Sequence, residues 1–86
     1  MTFEWDALKS AGNKLKHGLS FEEVEDAIEK SGIVAMIDNP AYPGQRIIVF
    51  RTAGKEIARA IIEFRGTKAR IISAQRSRKL RKLYGP

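Results

Sequence analysis

The 86-residue sequence predicts an α+β fold in one domain, with two N-terminal helices packed on a mostly antiparallel sheet of about four strands and a basic helix at the C-terminus. Three observations predict it. Two early segments carry helix caps and a helical apolar period. Three consecutive segments after residue 45 alternate with the two-residue period of strands and are separated by short turns. The last stretch sets Leu80, Leu83 and Tyr84 at helical spacing among Arg and Lys. A chain of this length holds a single domain, residues 1–86, and buries roughly 60–65% of its unfolded surface.

Asp6 is placed to cap the first helix, whose apolar positions Ala7, Leu8, Ala11 and Leu15 are expected to cover the sheet; Gly18 offers a left-handed stop. Gly12 weakens this helix by ~1 kcal/mol relative to Ala. Ser20-Phe21-Glu22-Glu23 reads as a capping box opening a second helix, with Phe21, Val24, Ala27 and Ile28 as its apolar stripe and Gly32 as its end. Ile33 to Ile37 is a short apolar run bounded by Gly32 and the turn-rich segment 38–44, hence a strand. Strands over Arg46–Thr52, Glu56–Phe64 and Ala69–Gln75 follow, joined by turns at Ala53-Gly54-Lys55 and 65–68, which makes an antiparallel meander. Phe3-Glu4-Trp5 is a candidate short edge strand, and Arg76 to Tyr84 the terminal helix.

Charge is distributed asymmetrically. Residues 1–45 hold four Lys against eight Asp and Glu, a net −4, whereas residues 46–86 hold twelve Lys and Arg against Glu56 and Glu63, a net +10. Such an Arg-rich half is the electrostatic footprint of a polyanion, RNA in the first instance, although an acidic protein partner would also satisfy it. With no cysteine, disulfides, thiolate metal sites and thiol nucleophiles are excluded. No apolar run approaches the ~18–20 residues of a membrane span, and the N-terminus lacks a signal-peptide pattern, so a cytoplasmic protein without membrane partners is expected.

Chemistry has few candidates. His17, the sole histidine, ends the first helix and reads either as a general acid–base or as a C-cap donor. The arginines carry more information as a group, because a guanidinium matches a phosphate bidentately and stabilises charge developing on phosphorane oxygens. On the ribonuclease reading that the family resemblance described next implies, Arg46, Arg70 and Arg76 are the candidates for the scissile phosphate, with His17 or Tyr84 for proton transfer. Lys16, Arg51, Arg59, Arg78 and Arg81 are the candidates for guiding the RNA backbone. Neither a metal site nor a cofactor fingerprint is present in the sequence.

Residues 3–23 contain Phe3-Glu4-Trp5-Asp6, Lys9, Asn13, Lys16-His17-Gly18 and Ser20-Phe21-Glu22-Glu23 at a spacing similar to the opening signature of the BrnT family of ribonuclease toxins. Arg70-Ile71-Ile72-Ser73-Ala74 resembles the family's last strand, and Arg46 the arginine opening its central strand. The resemblance implies a RelE-like fold, metal-independent endoribonuclease activity on messenger RNA, and a cognate antitoxin that wraps and silences the toxin; it admits a heterotetramer of the two. The chain departs from the family pattern at Gln45, where an acidic residue is usual, at Gln75, where an arginine is common, and in the terminal helix, which lacks the family's glutamate. These departures keep open a second expectation, a non-catalytic RNA- or DNA-binding or regulatory module on the same fold.

Overall fold

The computed structural model describes residues 1–85. Its elements are β1 (Thr2–Glu4), α1 (Ala7–His17), α2 (Phe21–Ser31), β2 (Ile33–Asp38), β3 (Gln45–Arg51), β4 (Ile57–Arg65), β5 (Lys68–Arg76) and α3 (Arg78–Tyr84). The α+β class is as the sequence predicts, but the sheet has five strands rather than about four, in the order β1-β5-β4-β3-β2. The additional strand is β1, which pairs parallel to β5 through Thr2, Phe3 and Glu4, so the sheet is mixed. This strand stands where the sequence offers Phe3-Glu4-Trp5 as a candidate edge strand, shifted by one residue. Packing creates this one, because Phe3 sits opposite Ala69 and leans on the core while Glu4 meets Arg70. Among the described residues, no helix is long and apolar enough to cross a membrane.

One face of the sheet carries the core. Ile48 and Phe50 of β3, Ala58, Ala60 and Ile62 of β4, and Ala69, Ile71 and Ala74 of β5 lie beneath Phe21, Val24 and Ala27 of α2 and the linker residue Leu19. Small alanines on the central strands let the helices approach, and Phe21 fills the space above them, fully buried. Ser20 caps α2 by accepting from the Glu23 backbone N–H at 3.1 Å, while the Glu23 carboxylate accepts from Ser20 N at 3.0 Å.

The first helix is turned around relative to its apolar pattern. Leu8 and Leu15 are 84% and 89% exposed, and the residues buried against the sheet are Ser10 and Asn13. The expectation that Leu8 and Leu15 cover the core is therefore overturned. Hydrogen-bonding geometry decides the rotation. Beyond Arg70, β5 has no neighbouring strand on its β1 side, which leaves backbone groups at that edge to be satisfied. Asn13 replaces the missing strand: Nδ2 donates to the Ala74 carbonyl at 2.8 Å, and Oδ1 accepts from the Ala74 N–H at 3.2 Å. Its second amide hydrogen reaches the Leu19 carbonyl at 2.7 Å. One turn earlier, the Ser10 hydroxyl accepts from Phe21 N at 2.9 Å and donates to the Glu22 carboxylate, satisfying an orphan donor in the first turn of α2.

A bulge in β5 sets the facing of the C-terminal half. Ile62 pairs with Ile71 but Ile61 pairs with Ser73, so Ile72 is the inserted residue. Strict alternation from Arg70 would put Arg76 on the same face. The bulge resets the period, and Arg76 shares the helix-covered face with Ala74. Arg76 is also the last residue of β5 rather than the first of the terminal helix, which Ser77 caps by accepting from Leu80 N at 3.1 Å. Helix α3 lies against β4. Val49 and Ile57 are buried outside the main cluster and alternate with its members, which puts them on the α3 side of the sheet.

Three outcomes follow from this packing. Asn13→Ala leaves the Ala74 and Leu19 backbone groups buried without partners, at ~1–3 kcal/mol for each unsatisfied group, and should lower stability in urea titration far more than substitution of the exposed Leu15. Phe21→Ala should cost ~3–5 kcal/mol, enough to unfold much of so small a domain. The carboxyls that organise the two helix starts lie below their ordinary values: Asp6 through the backbone N–H groups of Lys9 and Leu8, Glu22 through the Ser10 hydroxyl, and Glu23 through Lys14 and the Ser20 backbone. Their ionised forms therefore favour the fold, fully so above the ordinary values of 3.8 for Asp6 and 4.5 for the glutamates. The melting temperature should fall as the pH drops through that range, and less steeply in a Glu22→Gln/Glu23→Gln variant.

Candidate nucleic-acid interface

The β3–β4 turn, the end of β5 and the first turns of α3 enclose a cleft of ≈ 660 Å³, whose lining includes Lys55, Glu56, Arg76, Ser77, Arg78 and Arg81. Each wall has a local origin. Thr52 to Glu56 forms a tight connection in which Lys55 N donates to the Thr52 carbonyl at 2.8 Å and Thr52 N to the Glu56 carbonyl at 2.8 Å. Lys55 sits at φ 65°, the left-handed position that three-residue hairpin loops normally give to glycine. Gly54 stands one residue too early to take it, so the strained position falls to a cation on the rim of the cleft. On the far side Ser77 N donates to the Ile57 carbonyl at 3.1 Å, which brings the start of α3 close to the beginning of β4.

Arg76 is the best-restrained cation of the cleft. Its Nε donates to Glu56 Oε1 at 2.6 Å, and its Nη1 donates to the His17 carbonyl at 3.3 Å. A Cβ on Gly18, whose φ is 74°, would stand 3.1 Å from the same Nη1, so glycine is required there by conformation and by close approach. The C-terminal end of α1, with Lys16 and His17 both exposed, thus borders the cleft. Four cations against one carboxylate make the lining strongly electropositive, and 43% of the Arg76 side chain remains accessible.

The sequence-predicted residues divide between this cleft and other places. Arg76, Arg78 and Arg81 come together in it, and His17 adjoins it through Arg76. The expected convergence of Arg46, Arg70 and Arg76 on one patch does not occur. Arg46 shares the face of Ile48 and Phe50, pairs with Asp38 at 3.0 Å, and lines a separate hollow beside the β2–β3 turn. Its sheet row is four residues from the row of Arg76 and two strands away, roughly 14 Å along the strands and about 10 Å across them. Arg70, on the opposite face, is held by Glu4 at 3.0 Å with only 26% of its side chain accessible. Arg59 faces Gln75, which in its satisfied amide orientation accepts from the guanidinium at 3.2 Å. Arg51 Nη2 donates to the Tyr84 carbonyl at 3.3 Å and so ties the end of β3 to the end of α3.

Lys55 and Glu56 were not among the sequence candidates. The available signal was the order Gly54-Lys55 in a hairpin turn, where the glycine misses the left-handed position. Among the described residues, no three His, Asp or Glu side chains gather as metal ligands would.

The family described as ribonuclease toxin, BrnT, of type II toxin–antitoxin systems matches residues 5–80. The crystal structure of the ribonuclease toxin BrnT from Brucella abortus superposes with a TM-score of 0.67 at 22% identity, covering 90% of this chain and 96% of that one. At that identity the likeness establishes the fold alone. Among curated protein sequences none matches this chain. The family match spans most of the chain, and the protein belongs to the BrnT family of type II ribonuclease toxins.

Proposed function

We propose that the protein is the toxin of a type II toxin–antitoxin pair, an endoribonuclease that cleaves messenger RNA in the cytoplasm without a metal ion and is silenced by a cognate antitoxin. The observation carrying this reading is the cleft in which Lys55, Arg76, Arg78 and Arg81 surround a space large enough for a phosphodiester. In the proposed reaction the ribose 2′-oxygen attacks the adjacent phosphorus. The bond to the 5′-oxygen breaks, that oxygen takes a proton from solvent water, and the 2′,3′-cyclic phosphate left behind opens to a 3′-phosphate on addition of water. Arg76 is the group best placed to offset charge on the phosphorane, because Glu56 and the His17 carbonyl hold its guanidinium at the cleft. Arg78, Arg81 and Lys55 grip flanking phosphates, and Lys16 extends the path at the end of α1.

Proton transfer is assigned to His17, which takes the proton of the 2′-hydroxyl from the rim. Tyr84 has its carbonyl engaged by Arg51 and is half-buried, so it serves as a stacking surface in this scheme. Arg46 and Arg70 are reassigned: Arg70 fastens β1 to the sheet, and Arg46, paired with Asp38, lies outside the reacting centre. A second reading, a binding module without chemistry, draws on the family departure at Gln75, which stands where an arginine is common and whose amide is engaged with Arg59.

End-labelled RNA incubated with the purified protein in EDTA separates the two. Cleavage with cyclic-phosphate ends is expected; retention of RNA without cleavage at any concentration supports the binding module. Arg76→Ala should lower the cleavage rate by about 10²–10³ while leaving the melting temperature near that of the parent. Arg81→Ala should instead weaken RNA binding and reduce the salt dependence of log K by ~0.7 per lost phosphate contact. An Arg70→Ala variant with lost folding stability and no specific loss of chemistry would agree with its reassignment.

A further inference from the structure

The outward rotation of α1 leaves a surface that the cleft does not use. Leu8, Ala11 and Leu15, spaced at i, i+3 and i+7, form a stripe on solvent, with the two leucines almost fully exposed. Gly12 lies beside the stripe, and a Cβ added there would meet nothing within 4 Å. Nothing within the chain requires glycine at that position, where it weakens the helix relative to Ala. A close approach by a second backbone would require it. Flanking charge is one-sided: Lys14 is committed to Glu23 at 2.6 Å, whereas helical spacing puts Lys9 and Lys16 along the opposite border, both exposed.

We propose that this face of α1, Leu8, Ala11, Gly12 and Leu15 with Lys9 and Lys16 along one border, docks an amphipathic helix of the antitoxin whose apolar stripe is edged by acidic residues. The leucines enter the partner's apolar stripe, Ala11 and Gly12 allow the axes to close, and the lysines select acidic residues on that side. A second copy of this chain fits less well, since it would bring the same lysine border and a net charge of +6 against itself. The helix leads to the cleft, because the His17 carbonyl at its end is bound by Arg76. A partner helix running along α1 therefore reaches the cleft mouth, where its acidic residues compete with RNA. The proposal rests on the toxin–antitoxin reading for the existence of the partner, not on the nuclease chemistry.

The test uses the full chain and the purified product of the adjoining gene as the antitoxin, with affinity read by titration calorimetry. Leu8→Gln/Leu15→Gln should melt like the parent, cleave RNA like the parent, and bind the antitoxin roughly tenfold or more weakly, because two leucines lose their burial. Lys9→Glu should weaken the complex at low salt and lose that effect at high salt. Gly12→Ala should raise the melting temperature while weakening the complex, a combination that a purely structural role for the glycine would not produce. Leu83→Gln, on α3, serves as the exposed-leucine control and should bind normally. Parental affinity in the double leucine variant overturns the proposal. So does a dimer of the isolated chain that dissociates in that variant, or a variant that loses RNA and keeps the antitoxin. A parent that binds the antitoxin through this face yet cleaves no RNA leaves the docking surface standing and removes only the nuclease reading.

Discussion

Asn13 holds α1 along the open edge of β5, and most of the remaining geometry depends on that attachment. One amide satisfies both backbone groups of Ala74 and the carbonyl of Leu19, doing for the edge what a sixth strand would otherwise do. The two hydrogen bonds to Ala74 fix the rotation of the helix about its axis, and the bond to Leu19 fixes the connection into α2. With the rotation set, Ser10 lies over the start of α2 and the C-terminal carbonyls of α1 point toward the end of β5. The leucines are left facing water because the polar contacts at a sheet edge outweigh the burial of two side chains. An unpaired strand edge under a helix would leave several buried groups without partners.

The cleft is made at junctions rather than on the sheet surface. A hairpin turn contributes Lys55 and Glu56, a strand end contributes Arg76, and a short helix contributes Arg78 and Arg81. None of these segments could position its cation alone. The Ile72 bulge brings Arg76 to the helix-covered face, Glu56 draws it toward the hairpin, and the Gly18 cap clears space for its guanidinium. The same ion pair that positions Arg76 also lowers its free charge, so in the proposed scheme Arg78, Arg81 and Lys55 supply most of the attraction for phosphates. The scheme separates long-range attraction from local positioning, as expected of a site that works mainly by electrostatics.

The opening signature reads differently once its contacts are known. Asp6 and Ser20 cap helices, Gly18 takes the left-handed exit from α1, Phe21 fills the core, and Glu22 and Glu23 close the α1–α2 junction. Asn13 fastens the sheet edge, and Glu4 with Arg70 fastens β1. Nearly every position that marks the family is thus scaffolding. That explains how the family is recognisable in the chain even though positions outside this scaffold, such as Gln45 and Gln75, depart from its pattern. Membership and fold follow from the scaffold, while the proposed chemistry draws mainly on side chains outside the signature and shares only Lys16 and His17 with it.

Caps, turns and the two-residue period are local properties, so the sequence by itself determined both N-terminal helices, the β3–β5 meander, the capping box at Ser20 and the concentration of charge in the second half. It also marked Arg76, Arg78 and Arg81 as members of a basic group. Only the tertiary structure decided which cations meet. One inserted residue at Ile72 exchanges the faces of everything beyond it, and strand pairing sets Arg46 two strands from Arg76, neither of which is written in local periodicity. The outward turn of Leu8 and Leu15 was likewise decided by the edge of β5, a partner more than fifty residues away in the chain, whose backbone Asn13 satisfies.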